Sequence, residues 1–489
     1  MTKQEAAIKY ITENYLEFNR LRHDVIADKL QVRCAHNLGE EAKGDEASRQ
    51  EYWQEMTKHD INSIVCHCAQ EYDANITSRE VMTALQSDLI PDVHPLREYI
   101  LSLPAWKPES GDWIDFVAQQ VRVVSNTTDR PNGLLEVRPS KGLLDRSYGA
   151  ERPTNLTGEA DPTASKASDL TMQWSNSEQQ RAPRQTTSGV CGVSGERSAS
   201  NADALWRNCF KKWFVAMVAS WMKDEVVNHQ VLVLIGKQGI FKTTWLEHLI
   251  PPHLRAYACK LANSNDLNKD ERLRIAEFGL ISLDEIDSMN NRELNQLKSV
   301  ITATDVNERA AYAYTKERRV RLASFCASGN RRDFLTDITG NRRWLPFEVE
   351  SIQNPFYSIL PYEQMYAQAW ALAQDPMFSY WFDLDEIEVL EEHNQHFRDE
   401  SNEEQLLPIL FDVPAEGRGE FMTTAQISER LVSYGNIKKP MALSRLGMVL
   451  GAAGYHSTRP KIGGRLIRGW LVYQRDTDEI ASLKRLLKE

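Results

Sequence analysis

The sequence of 489 residues is most informative at first for what it lacks. No apolar run reaches the roughly 18 residues a membrane-spanning helix needs. The opening MTKQEAAIKYITENY reads as an amphipathic helix and not as a signal peptide. Cysteine is scarce, with seven residues and no Cys-x-x-Cys pair. The one cluster, Cys66–His67–Cys68, cannot aim three adjacent side chains at one metal, so these read as buried or idle thiols in a reducing compartment. Positive charge is not in excess either. Lys and Arg number 58 against 69 Asp and Glu, for a net charge of −11 and a pI near 5.6. That balance excludes a protein that coats nucleic acid over its whole surface, while leaving room for a local basic patch. No internal repeat is visible. These absences predict a soluble, intracellular protein.

What is present is apolar material for real cores, 42% of residues with 12 Trp among them. The length suits about three domains at roughly 150 residues each. Composition divides the chain into five stretches. Residues 1–121 read as an N-terminal α+β, mainly helical region, with a hairpin in EFNRLRHDVIADKLQVR and helices in DINSIVCHCAQEY, TSREVMTALQSDLI and HPLREYILSLPAW. Residues 122–200 are rich in Ser, Thr, Gly, Pro and Arg and short of aliphatics, the composition of a disordered linker. Buried strands alternate with helices over 201–375, an α/β pattern. An acidic helical connector, 376–419, leads to a small unit at 420–489.

The stretch VLVLIGKQGIFKTTWL carries the main functional signal. Five aliphatic residues predict a strand buried on both faces of a parallel sheet. A glycine-bearing turn, Lys-Thr and a helix follow, the context of a phosphate-binding loop. Gly236 and Gly239 let the backbone approach phosphates, Lys242 reaches toward the β- and γ-phosphates, and the Thr243 hydroxyl, with Thr244 beside it, faces Mg²⁺. Phe241 stands where such loops have glycine. A bulky residue disfavours positive φ, so the expectation is an ordinary right-handed conformation with the ring turned away, and ATP binding that survives Phe241→Gly.

Downstream residues support an ATP site. FGLISLDEID predicts a second buried strand ending in Asp284 and Glu285, placed to hold the Mg²⁺ shell and to activate water. VRLASFCASGN ends in Asn330, within reach of a γ-phosphate. Arg342 and Arg343, in a Gly-Asn turn, suit charge developing on a transferred phosphoryl group. DLD at 383–385 reads as an exposed acidic helix face, and no primase acids are evident.

In order, GKQGIFKTT, LISLDEID, LKSVITATDVNERAAYAY, FCASGN and DITGNRRWLPF resemble the P-loop domain of the virulence-associated E family. That family is similar to superfamily 3 helicases and belongs to replication proteins of phages and mobile elements. The resemblance covers about 200–375 and extends weakly over 1–121. It implies an AAA+/superfamily 3-like α/β P-loop NTPase core in a bacterial cytoplasmic protein, with Lys242 and Thr243 as Walker A, Asp284 and Glu285 as Walker B, and Asn330 as sensor. It also implies that Arg342 or Arg343 is an arginine finger given to a neighbour in a ring, expected to be a hexamer.

Two regions suit DNA. In ERAAYAYTKERRVRL, Arg309, Lys316, Arg318, Arg319 and Arg321 interleave with Tyr312 and Tyr314; the superfamily 3 resemblance places a pore hairpin for single-stranded DNA there. From Arg430 to Arg475, nine Lys or Arg (430, 438, 439, 445, 459, 461, 465, 468 and 475) occur with no Asp or Glu. Helix, turn, helix and a hairpin turning at Gly463–Gly464 form a winged-helix layout. It would set the second helix in the major groove of duplex DNA, with Ser444 and Arg445 near base edges. Lys438, Lys439, Arg459, Lys461, Arg465 and Arg468 would meet phosphates. The reading is an ATP-dependent, Mg²⁺-requiring DNA helicase or translocase that does not enter a membrane. Its alternatives are an ATP-switched initiator or regulator, and a DNA-binding protein with an inactive loop.

Overall fold

A computed structural model describes residues 2–36, 50–72, 75–124, 201–261, 269–308, 317–336, 341–414 and 419–486. The N-terminal part contains α1 (Lys3–Ile11), β1 (Leu21–Asp24), β2 (Lys29–His36), β3 (Gln50–Glu55), α2 (Lys58–Tyr72), α3 (Ser78–Leu85) and β4 (Asp92–Val93). The expected hairpin is β1–β2, and the four strands form a sheet in the order β3-β2-β1-β4. The three helices bury Ala6, Ile11, Ile64, Val81 and Leu85 with Leu21 of β1. Cys66 is exposed and Cys68 buried on α2, so they point apart as expected of neighbours on a helix.

The next elements are α4 (Pro95–Ser102), α5 (Trp113–Ala118) and β5 (Val121–Val123). The main body then runs through α6 (Asn201–Met222), β6 (Val231–Ile235), α7 (Lys242–His248), β7 (Ala258–Leu261), α8 (Lys269–Glu277) and β8 (Leu280–Leu283). It continues with α9 (Asn291–Thr302), β9 (Asp305–Glu308), β10 (Glu317–Val320), β11 (Ser324–Gly329) and β12 (Trp344–Ile352). Six strands make one sheet in the order β5-β12-β6-β11-β8-β7, parallel except for the edge strand β5.

The VLVLI run explains this arrangement. Leu232 and Leu234 enter the core on one side of the sheet, while Val231, Val233 and Ile235 enter the core on the other. A strand covered on both faces has no polar face to alternate with. On the first side α6 is buried along most of its length, and its tryptophans find acceptors for their indole N–H groups. Trp206 donates to Ala118 O (2.9 Å), Trp213 to Phe325 O (3.1 Å) and Trp221 to Gly279 O (3.1 Å). Each large apolar body is thus buried with no orphaned donor. Leu96, Ile100, Ile114 and Val117 belong to this same core. The sequence boundary at 121 therefore falls inside a strand of the main sheet.

After β12 come α10 (Tyr362–Gln374), α11 (Leu384–Gln395) and α12 (Asn402–Leu410). Asp383 caps α11, accepting from the Glu386 N–H at 2.8 Å, which gives the DLD segment a structural task. The C-terminal part holds β13 (Phe411–Asp412), β14 (Glu420–Met422), α13 (Thr424–Gly435), α14 (Leu443–Ala452), β15 (His456–Thr458), β16 (Lys461–Ile462), β17 (Arg465–Leu466), β18 (Gly469–Gln474) and α15 (Thr477–Leu486). Strands β13, β14 and β15 all pair with β18, and α12 shares the core of this unit through Leu407 and Leu410.

Candidate functional site

The loop after β6 turns at Gly236, whose backbone is held by a bond from its N–H to Gly329 O (3.1 Å). A Cβ at Gly236 would lie 2.7 Å from Val349 O, so any larger residue would push the loop off the sheet. Gly239 takes φ +85° in the turn itself. Phe241 corrects the expectation from sequence: it adopts φ 67°, ψ 19°, the left-handed conformation. Local preference opposes that by roughly 1–2 kcal/mol. The loop overrides it because the chain must reverse at this residue while Phe241 O already accepts the first bond of α7, from Trp245 N at 2.8 Å. Phe241→Gly should relieve this strain, whereas Phe241→Ala keeps it. Thermal unfolding of the glycine variant is expected about 2–4 °C above that of the alanine variant. Equal midpoints would refute the strain.

Four sequence-predicted residues converge at the C-terminal ends of the parallel strands. The Lys242 ammonium is buried, donating to Gly236 O (2.8 Å), Lys237 O (2.7 Å) and Asn330 Oδ1 (3.3 Å). Burial lowers its pKa, opposed by the charges of Asp287 and Asp284. Thr243 Oγ1 donates to Asp284 Oδ1 at 3.2 Å and lies 2.9 Å from Ser328 Oγ, and Ser328 donates to the same Asp284 oxygen at 2.6 Å. Burial pushes the Asp284 carboxyl up, but bonds from Ser328, Lys260 and Thr243 outweigh it and hold the group below the usual aspartate value. Thr244 sits in the first turn of α7, its carbonyl 2.7 Å from His248 Nδ1.

The hydroxyl of Thr243 and the carboxylate of Asp284 are hard oxygen donors side by side, a set that fits Mg²⁺. Among the described residues no side chain caps the N-terminus of α7. Glu285 is exposed and left-handed (φ 53°), and among the described residues its carboxylate has no partner. Arg342 and Arg343 lie elsewhere. They immediately precede β12, whose Trp344 pairs with Val231 at the start of β6, while the loop follows Ile235 at its end. At about 3.3 Å per residue this separates them from the loop by about 13 Å along the strand. Burial, with Arg321, Arg343 and Arg342 nearby, holds the adjacent His229 imidazole below its usual range.

Several contributors were not singled out from sequence. Ser328 precedes Asn330 by two residues at the same strand end, a signal the FCASGN motif already held. Lys260 pairs with Asp284 Oδ2 at 2.9 Å from an edge strand whose sequence carries no motif. Asp287 accepts from the Asn330 N–H (3.2 Å) and the Arg331 N–H (3.1 Å), clamping the end of β11. A cleft of about 860 Å³ opens beside it, bordered by Arg292, Arg331 and Arg332.

The basic regions divide. β9 and β10 pair antiparallel; Arg309, Tyr312, Tyr314 and Lys316, between them in sequence, lie outside the described residues. Arg318 is largely exposed and pairs with Asp305 at 2.6 Å. Arg319 is mostly buried between Asp28 (3.1 Å) and Glu277 (3.7 Å). Arg321 corrects its expected place among DNA contacts. It is 1% exposed and donates to Ala323 O, Ile301 O, Ala303 O and Asn228 O, tying a turn together from inside. In the C-terminal unit, Lys438, Lys439, Arg459, Lys461, Arg465 and Arg468 are exposed, whereas Arg445 turns to Thr336 O (3.3 Å) and Glu404 (3.9 Å).

Among the described residues no helix is long and apolar enough to cross a membrane. No curated protein matches the chain. Among solved structures, the apo C-terminal region of NrS-1 is similar at 10% identity over 96% of this chain and 99% of that one, with a TM-score of 0.38. Its A form, also apo, gives 10% identity, 96% and 100% coverage, and a TM-score of 0.36. Residues 174–399, which contain the loop, the acidic strand end and the arginine pair, match the virulence-associated protein E-like domain.

Proposed function

We propose that this chain is an ATP-dependent DNA motor in the replication of a phage or other mobile element, hydrolysing ATP where the subunits of a ring meet. The observation that carries the reading is the convergence of Lys242, Thr243, Asp284 and Asn330 at one end of a parallel sheet. Phosphates entering the loop would draw the Lys242 ammonium from its carbonyl acceptors. Thr243 and Asp284 would hold Mg²⁺, which when bound supplies positive charge to the phosphate oxygens. The free carboxylate of Glu285 would accept the proton of the attacking water. Arg342 and Arg343, at the far end of their own sheet, would serve a neighbouring subunit's site. The C-terminal unit, read as a winged helix, would bring the assembly to duplex DNA.

Turnover measured with and without single-stranded DNA tests this. Glu285→Gln is expected to cut the rate about 100-fold while ATP still binds. Equal rates in wild type and variant would sink the enzymatic reading. A second reading, an ATP-switched initiator or regulator that does not unwind, draws support from the ion pairs that occupy Arg319. DNA-stimulated turnover without strand displacement on forked DNA would favour it.

A further inference from the structure

Resting on the reading that the C-terminal unit binds duplex DNA, we infer that its β16–β17 hairpin, and not helix α14, is the element that enters the major groove. The helix is poorly presented for that task. Its entry is held by the Met441 N–H donating to Glu403 Oε1 at 2.7 Å. Arg445 is drawn to Thr336 O and Glu404. The face of α14 left to solvent carries Leu443, Ser444 and Met448, none of them charged. Nothing on that face can neutralise a phosphate as the helix approaches.

The hairpin has the opposite character. All six residues from Lys461 to Leu466 are exposed, around a turn in which Gly463 and Gly464 take φ +58° and +83°. Lys461 pairs with Leu466 and Ile462 with Arg465. Directly opposed residues share a face and neighbours alternate, so each face carries one cation and one aliphatic side chain. Ile462 is 48% and Leu466 73% exposed. A hairpin that lay flat on a protein or a bilayer would gather its apolar groups on one face. One that stands between two phosphodiester walls meets similar chemistry on both sides, as here. Arg459 and Arg468 flank its base, and among the described residues none of these four cations has an ion-pair partner. A two-stranded ribbon fits the major groove, about 12 Å wide, and not the minor groove, about 6 Å wide. In the major groove Ile462 and Leu466 would meet thymine methyl groups.

The test is fluorescence anisotropy of the full chain on labelled duplexes, with a thymine-rich duplex and its deoxyuridine counterpart, which lacks only the major-groove methyl groups. R459A/K461A/R465A/R468A is expected to lose at least about tenfold in affinity and to flatten the salt dependence. L443S/M448S should bind as wild type does. Wild type should bind the deoxyuridine duplex at least about threefold more weakly, and I462S/L466S should abolish that preference. All substituted hairpin residues are exposed, so unchanged thermal midpoints are expected to certify folding. The inference is overturned if the helix variant loses binding while both hairpin variants retain it. Indifference to the thymine methyl, with displacement by a minor-groove ligand, overturns it too. In either case DNA binding itself would stand. A wild-type chain that binds no duplex would instead remove the reading beneath it.

Discussion

Replacing Lys242 with methionine is expected to lower ATP turnover about 1,000-fold or more while leaving the thermal midpoint unchanged or slightly raised. The two halves of this result have separate causes. The ammonium is aimed into the loop by two main-chain carbonyls and Asn330, where it can meet charge that develops on phosphate oxygens. A preorganised charge in a partly desolvated site is worth far more than one in water. Without nucleotide the same burial is a cost, seen in the lowered pKa of Lys242. Methionine keeps the volume and removes the charge. The relieved desolvation of the ammonium offsets the bonds lost by Gly236 O, Lys237 O and Asn330 Oδ1, two of them only part-buried, so stability should change by no more than about 1 kcal/mol. Phosphate release and thermal unfolding on one preparation check both halves. A variant that turns over at the wild-type rate refutes the site, and one that simply unfolds refutes the account of its energetics.

Arg321→Met should do the reverse, costing about 3 kcal/mol or more of stability with no direct effect on single-stranded DNA binding by the folded protein. The guanidinium is sealed inside, and its N–H groups reach four carbonyls: Asn228 just before β6, Ile301 at the end of α9, Ala303 after it and Ala323 before β11. Methionine matches its length but donates nothing, so several buried acceptors lose their partners at about 1–3 kcal/mol for each one left dry. The midpoint should fall by about 6–12 °C. Lysine should rescue only in part, because one ammonium cannot span the fork that a planar guanidinium covers. An unchanged midpoint combined with weaker DNA binding would place Arg321 on the surface after all.

Arg321 also marks a limit of sequence reading. Within KERRVRL it looks like one cation among several, because burial is decided by what packs around the turn, and the residues that do so come from positions 228, 301, 303 and 323. The parallel core was easier to read. Its central strands are short, buried and mostly apolar runs that lead into polar residues, so VLVLI, LISL and SFCASG marked both the sheet and the edge where the site forms. Lys242, Thr243, Asp284 and Asn330 followed from that logic. Lys260 and Asp287 did not, since each acts through a neighbour in space: Lys260 lies outside every motif, and Asp287 closes LISLDEID behind the two acids that the strand end itself points to. Phe241 departs from its local preference for a related reason. Its intrinsic preference is right-handed, and a tertiary demand on the turn outweighs it.

The sharing of one core by residues 95–123 and 201–222 has a consequence for where the domain begins. The stretch matching the virulence-associated protein E-like domain starts at 174, after α4, α5 and β5 have already been made. Yet β5 completes the sheet beside β12, and Leu96, Ile100, Ile114 and Val117 pack where Trp206 and Trp221 would otherwise meet water. The unit defined by likeness is therefore smaller than the unit defined by folding. A fragment cut at residue 174 would leave β12 as an open edge, a template for pairing with other chains, and would expose one flank of its longest buried helix.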